Sequence, residues 1–199
     1  RTAYMRAVLV NEFGPFDSAR VQDIPNPTAG PNEVILAVKA ADVNYPDMMV
    51  MEGTYQVRPS LPFSPGKAAA GVIEEVGAEV CALKPGDRVM ACVEHGAYAE
   101  KIRAPAYQCH PMPDEISFEK AAAMGLVYLT AYFALRDRAV LKQRESVFVI
   151  GAKGGIGMAS IQVAKALGAG VVIAGVRDAE NAEFVEEMGA DHVLDLSME

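Results

Sequence analysis

Ser146-Val147-Phe148-Val149-Ile150-Gly151-Ala152-Lys153-Gly154-Gly155-Ile156-Gly157 is the stretch on which the fold turns. Its first five residues form a short apolar run, the signature of a strand buried in a parallel sheet. The glycines at 151, 154 and 157 then divide three tasks. One permits a tight exit from the strand, one lets backbone approach a pyrophosphate, and one lets helix and strand pack closely. Amides at the start of the next helix supply donors for the anion, aided by the helix dipole. A glycine triplet alone is weak, because turns are rich in glycine. Here it stands between a strand and a helix, which is the context a dinucleotide site requires.

Downstream, a helix is expected over 158–167, with Ile161, Ala164, Ala166 and Leu167 on its apolar face and Gly168 closing it. A second strand follows over 171–175, a second helix over 179–188 and a third strand over 193–196. This β-α-β-α-β series is the mononucleotide-binding half of a doubly wound parallel sheet. Just past the second strand stands Arg177, then Asp178. An arginine there suits a ribose 2′-phosphate and an acidic residue a 2′-hydroxyl, so NADPH is the favoured cofactor and NADH the rival.

Upstream of Pro113 the texture differs. Short β-like runs at 7–10, 34–39, 71–76, 88–92 and 98–102 are separated by Pro, Gly and Asn turns such as Lys84-Pro85-Gly86-Asp87. Many short strands with frequent turns indicate a β-rich barrel or sandwich. Ser117 reads as the N-cap of a helix through 121–123, with a second helical stretch over 129–136. Asp47 reads as the N-cap of a helix carrying Met48, Met49 and Met51, whose flexible side chains suit core filling.

The chain has 199 residues and a formal charge of −8, and 51% of it is hydrophobic against 22% charged. That balance belongs to a folded globular chain. No apolar run reaches the roughly 18 residues of a membrane span, and no Lys/Arg cluster offsets the acidity to bind nucleic acid. Cys81, Cys92 and Cys109 form no C-x-x-C pair, which fits a reducing compartment and not a disulfide scaffold.

With these features placed, the sequence resembles the zinc-independent quinone oxidoreductases of the medium-chain dehydrogenase/reductase superfamily. The matching stretches are Asn44-Tyr45-Pro46-Asp47 with Gly53-Thr54-Tyr55, Ala70 to Gly77, Pro85-Gly86-Asp87-Arg88-Val89, Gly96 to Glu100, Leu129-Thr130-Ala131-Tyr132, Gly151 to Gly157, and Gly189 to Val193. The resemblance implies a GroES-like, partly open β-barrel bearing the substrate over 1–118, and a Rossmann domain over 119–199. It places the active site in the cleft between them. It also implies NADPH as hydride donor, a homodimer or higher oligomer, and a small-molecule quinone or enone substrate. The expected location is cytoplasmic, with an organelle matrix as the alternative. Residue by residue, Asn44 and Tyr45 match the pair at the nicotinamide and substrate. Thr130 matches the threonine near the nicotinamide amide. Lys153, Gly154, Gly155 and Ile156 match the pyrophosphate loop, and Gly175 and Arg177 the strand end by the adenosine ribose.

The chain departs from the pattern at three points. Lys153 replaces the usual small residue, Leu196 stands where an aromatic or His is common, and Lys67-Ala68 replaces an acidic residue after Gly66. Zinc relatives carry a His where Lys67 stands, and a protonated lysine cannot ligate zinc. Cys92-x-x-His95 and Cys109-His110 supply too few ligands to close a tetrahedral site, so no metal is expected. Without a metal the acceptor must be polarised by hydrogen bonds. Tyr45, with Asn44, is the candidate donor, and Tyr55 and Tyr128 are weaker ones. The competing readings are an enoyl-thioester reductase and a non-enzymatic NADPH-binding protein. Finally, a complete dinucleotide fold orders its strands 3-2-1-4-5-6, and this chain supplies the first three. The 199 residues therefore read as a truncated chain or one part of a larger assembly, with the rest of the fold as its missing partner.

Overall fold

The structure is a computed structural model that describes residues 3–178 and 183–197. The chain divides into two compact units, residues 1–125 and 126–199. The division falls inside a helix, where the sequence reading set it at 118/119.

The first unit is antiparallel. Strands β1 (Tyr4–Leu9) and β2 (Arg20–Pro25) form a hairpin. Strands β3 (Glu33–Ala41), β4 (Ala68–Val76), β5 (Arg88–Cys92), β6 (Lys101–Pro105) and β7 (Cys109–Pro111) form one sheet in the order β6-β3-β4-β5-β7. Isolated bridges from Ala7 to Ala99 and from Val10 to Phe63 tie the hairpin side to the rest. Sheet and hairpin do not fuse into a closed barrel among the described residues, so the expected partly open barrel is what forms. Alternate residues of β3, β4 and β5 fill its interior, with Val34, Leu36, Ile73, Val89 and Ala91 almost wholly buried. Each of these Val, Leu and Ile side chains contributes about 1.5–3 kcal/mol of transfer free energy.

Over residues 98–136 the expected elements differ from those that form, and two strands of the first unit were not expected at all. The strand expected over 98–102 is β6, three residues later. Tyr98 is instead turned inward to a buried carboxylate, and its amide donates to the Pro65 carbonyl. The strands β2 and β7 were not legible, because β2 exposes alternate residues without an apolar face and β7 has only three residues. The two helices expected around 121–136 are one, α2 (Phe118–Tyr132), followed by a π-helical turn over Phe133–Arg138. Gly125 lies inside this one helix. A Cβ on it would come 2.4 Å from the Ala68 Cβ, so this glycine serves close packing and not termination. The Ser117 cap holds: its Oγ accepts the Lys120 amide at 3.3 Å.

The second unit contains three parallel strands in the order β10-β9-β8: β8 (Ser146–Ile150), β9 (Val171–Val176) and β10 (His192–Asp195). Helix α3 (Gly155–Ala166) crosses from β8 to β9, and α4 (Glu183–Glu187) precedes β10. For the helix expected over 179–188, residues 179–182 lie outside the described residues. Ile161, Val163 and Ala164 bury the inner face of α3. Ala166, assigned to that face by its spacing, is exposed. The helix also begins at Gly155, three residues before the expected start, so the glycine loop is partly helix. Asp191 fastens the sheet: it accepts the Lys165 ammonium at 2.6 and 2.7 Å and the Val172 amide at 2.7 Å.

Candidate functional site

In the second unit, β8 delivers the chain into the loop, and Gly151 turns it with φ +69°, a conformation a side chain rarely adopts. The Ala152 amide donates to the Gly175 carbonyl at 3.1 Å, and the Gly154 amide to the Gly151 carbonyl at 2.9 Å. The first bond of α3 runs from the Met158 amide to the Gly154 carbonyl at 2.9 Å. The amides of Gly155, Ile156 and Gly157 therefore precede the helix ladder, at its positive end. A Cβ on Gly157 would lie 2.4 Å from the Gly151 oxygen and 2.7 Å from the Ala152 Cα. A Cβ on Gly154 meets only the Gly151 oxygen, at 3.4 Å, and one on Gly151 meets nothing within 4 Å. Gly157 thus serves helix–strand contact, while Gly151 and Gly154 leave an open cradle in front of the amides. That cradle fits a pyrophosphate.

Lys153 is half-buried within this loop and Ile156 is half-exposed beyond it. Gly175 is buried, with its Cβ position closed by Phe148 and Leu196, each 3.0 Å away. Arg177 and Asp178 are exposed just past the end of β9. Thr130 is exposed on α2 and donates its hydroxyl hydrogen to the Leu126 carbonyl at 2.7 Å, so its remaining capacity is as an acceptor.

In the first unit, Asn44 and Tyr45 open helix α1 (Tyr45–Glu52), which ends at Gly53 with φ +71°. Asn44, not Asp47, is the N-cap. Asp47 occupies the third helical position, and its Oδ2 accepts the Asn44 amide at 2.8 Å, the reciprocal half of a capping box. With Pro46 in the first turn, the chain has no amide to waste there. Asp47 is only 1% exposed, and its Oδ2 also accepts the Tyr98 hydroxyl at 2.9 Å. The Asn44 side-chain amide donates to Asp42 Oδ2 at 2.5 Å. The second carboxylate oxygens of Asp42 and Asp47 are buried without a hydrogen-bond partner. Burial and the nearby Asp47 charge raise the Asp42 carboxyl above its ordinary range, against the pull of Asn44. Burial and Asp47 likewise raise the Tyr98 phenol, so it stays a neutral donor. Asn44 is thereby clamped, and Tyr45, 71% exposed, projects from a fixed helix start.

The sequence matches the alcohol dehydrogenase GroES-like domain family over residues 30–114 and the zinc-binding dehydrogenase family over 155–199. It is 40% identical over 193 residues to a quinone oxidoreductase of Pongo abelii, covering 96% of this chain and 58% of the relative. It is 37% identical to a synaptic vesicle membrane protein VAT-1 homolog of Rattus norvegicus, covering 96% of this chain and 48% of the relative. A mycobacterial protein solved in complex with NADPH superimposes with a TM-score of 0.86 at 36% identity, over 96% of this chain and 58% of that one. The chain belongs to the quinone oxidoreductase family of the medium-chain dehydrogenase/reductase superfamily. It spans about half the length of the curated relatives it matches.

One feature of this quinone oxidoreductase family chain goes beyond what its motifs foretold. Lys67 is 6% exposed, immediately before β4. Its Nζ donates to the Glu94 carbonyl at 3.0 Å and to Glu94 Oε2 at 3.2 Å, and lies 4.8 Å from the centre of the Tyr55 ring. The sequence reading credited it only with excluding zinc. A charged residue inside the run of small residues Gly66 to Gly71 was the available signal, because such a residue is buried only with partners. His95 packs edge-on against Phe63 at 5.9 Å, and burial together with the Lys67 charge lowers its pKa, keeping the ring neutral. Among the described residues no group of three or more His, Cys, Asp or Glu side chains gathers as a metal site.

Proposed function

We propose that this chain is the cofactor- and acceptor-binding part of an NADPH-dependent reductase of quinones or α,β-unsaturated carbonyls. The observation that carries the reading is the glycine cradle before the α3 amides, in a family with an NADPH-complexed relative. Bound NADPH supplies the hydride, and with one proton the acceptor becomes a hydroquinone or saturated carbonyl while NADP⁺ is released.

The chain's own residues would bind and orient. The amides of Gly155, Ile156 and Gly157 face the pyrophosphate, with Lys153 adding charge beside it. Arg177 meets the 2′-phosphate, the feature that favours NADPH over NADH. Thr130 accepts from the nicotinamide amide. Tyr45 donates a hydrogen bond to the acceptor oxygen that gains charge. Asn44 holds Tyr45 in place through the Asp42 and Asp47 contacts.

The test is loss of NADPH absorbance with 1,2-naphthoquinone, with crotonyl-CoA and with no acceptor. Turnover with the quinone alone supports the reading, and turnover with the thioester alone points to an enoyl reductase. A protein that binds NADPH and turns over nothing refutes an enzymatic role. Tyr45→Phe is expected to lose at least about tenfold in turnover while binding NADPH normally, the scale of one lost charge-stabilising donor. Arg177→Ala is expected to raise the Kd for NADPH and leave that for NADH unchanged.

A further inference from the structure

We infer that Lys67 is the acceptor-recognising cation of this chain, and that the Glu94 carboxylate is a displaceable stand-in for the acceptor's oxygen. The inference rests on the reductase reading and deepens it by naming what selects the acceptor.

The backbone places Lys67 beside the candidate donor. The Asp42 amide pairs with the Ala68 carbonyl at 3.3 Å, and the Val93 amide with the Lys67 carbonyl at 2.7 Å. The start of β4 is therefore flanked by the 42–45 segment on one side and the 93–95 turn on the other. Tyr45 and Lys67 emerge at this same end of the sheet. The Lys67 stem is sheathed, and its ammonium has three donors. One is held by a backbone carbonyl, which fixes the head. Another goes to the Glu94 carboxylate, whose side chain is 65% exposed and thus readily resolvated. Water reaches the carboxylate and not the ammonium, so the acid is the exchangeable member of the pair and the buried cation requires another oxygen in its place. Tyr55, packed on the Val10, Val50, Met51 and Phe63 cluster, turns its ring to the same ammonium and walls it on that side. A buried cation with one exchangeable oxygen ligand and an aromatic wall recognises an electron-rich oxygen on a planar acceptor. As that oxygen gains charge during reduction, Lys67 stabilises it from a desolvated position.

A purely structural lysine would also hold the 93–95 turn, so the test must separate the two. The probe is anthraquinone-2-sulfonate, its binding measured by calorimetry without NADPH. Glu94→Gln removes the competing carboxylate and is expected to tighten the probe several-fold, while Lys67→Met weakens it by roughly tenfold. In the Lys67→Met background the Glu94→Gln gain should vanish, and Glu115→Gln, an exposed control, should change nothing. A Glu94→Gln variant that folds normally yet binds the probe no tighter overturns the inference, as does wild type that fails to bind it. A gain that persists without Lys67 overturns it too. If Lys67→Met does not fold, the Glu94→Gln result decides alone. Turnover of 9,10-phenanthrenequinone by NADPH is scored separately. Its absence alongside the expected binding pattern removes the reductase reading and leaves Lys67 as a binding determinant.

Discussion

At the level of single residues, Gly154 and Gly157 belong to one motif and make opposite predictions. Gly157→Ala forces a Cβ to within 2.4 Å of the Gly151 oxygen, so it should cost at least about 2 kcal/mol in urea unfolding, as overpacking does. Gly154 has φ −83° and ψ 164°, which any residue adopts, and its nearest neighbour is 3.4 Å away. Gly154→Ala should fold within about 0.5 kcal/mol of wild type yet bind NADPH at least roughly tenfold more weakly, because its methyl fills the cradle. The three thiols diverge in the same way. Burial pushes Cys92 and Cys109 up to about 11, while Cys81 is exposed. At pH 8 a thiol reagent should modify Cys81 alone, and all three only in denaturant. Both raised groups favour the protonated fold, so their stabilisation is intact below the ordinary thiol value of 9.0 and drains away as pH rises through 11.

Among the elements, those built on strong local signals were legible and those built on tertiary contact were not. β8 matched residue for residue because an apolar run flanked by Glu145 and Gly151 admits little else. β5 matched for the same reason, between Asp87 and the 93–96 turn. The start of α1 was misread by three residues, because Asn44 and Asp47 are both good caps and only the reciprocal bond distinguishes them. The packing role of Gly125 in α2 is set by a contact with Ala68 on a distant strand, which no local pattern shows. The glycine loop, Asn44 and Tyr45 could be found by motif. The clamp of Asp42 and Tyr98 around them, and the burial of Lys67, depend on pairing between distant strands. For the β9–β10 join, the carboxyl of Asp191 is held below its ordinary value of 3.8, chiefly by Lys165 and then by the Val172 amide. Its contribution is therefore present at neutral pH and lost as pH falls through that lowered value. Asp191→Asn should lower the thermal midpoint at pH 7, with the gap to wild type closing in strong acid.

For the whole molecule, the strand count governs behaviour. β8 pairs only with β9 among the described residues, and its Phe148 and Ile150 are 48% and 72% exposed. An apolar strand edge of this kind invites pairing with another chain. Prepared as these 199 residues, the protein should self-associate with rising concentration, read by sedimentation velocity. Ile150→Lys should reduce that association without altering the first unit's fold.

The bonds that shape the loop after β8 lie within this half of the chain. Gly151 is already turned, the Ala152 amide already rests on β9, and Gly157 already sets the helix against the strand. Among the described residues, the loop is already in the shape that a dinucleotide would meet. Its capture should be a one-step collision, with an observed rate that climbs linearly with nucleotide concentration and shows no plateau. Changes in affinity caused by loop substitutions should then appear in how long the nucleotide stays and not in how fast it arrives.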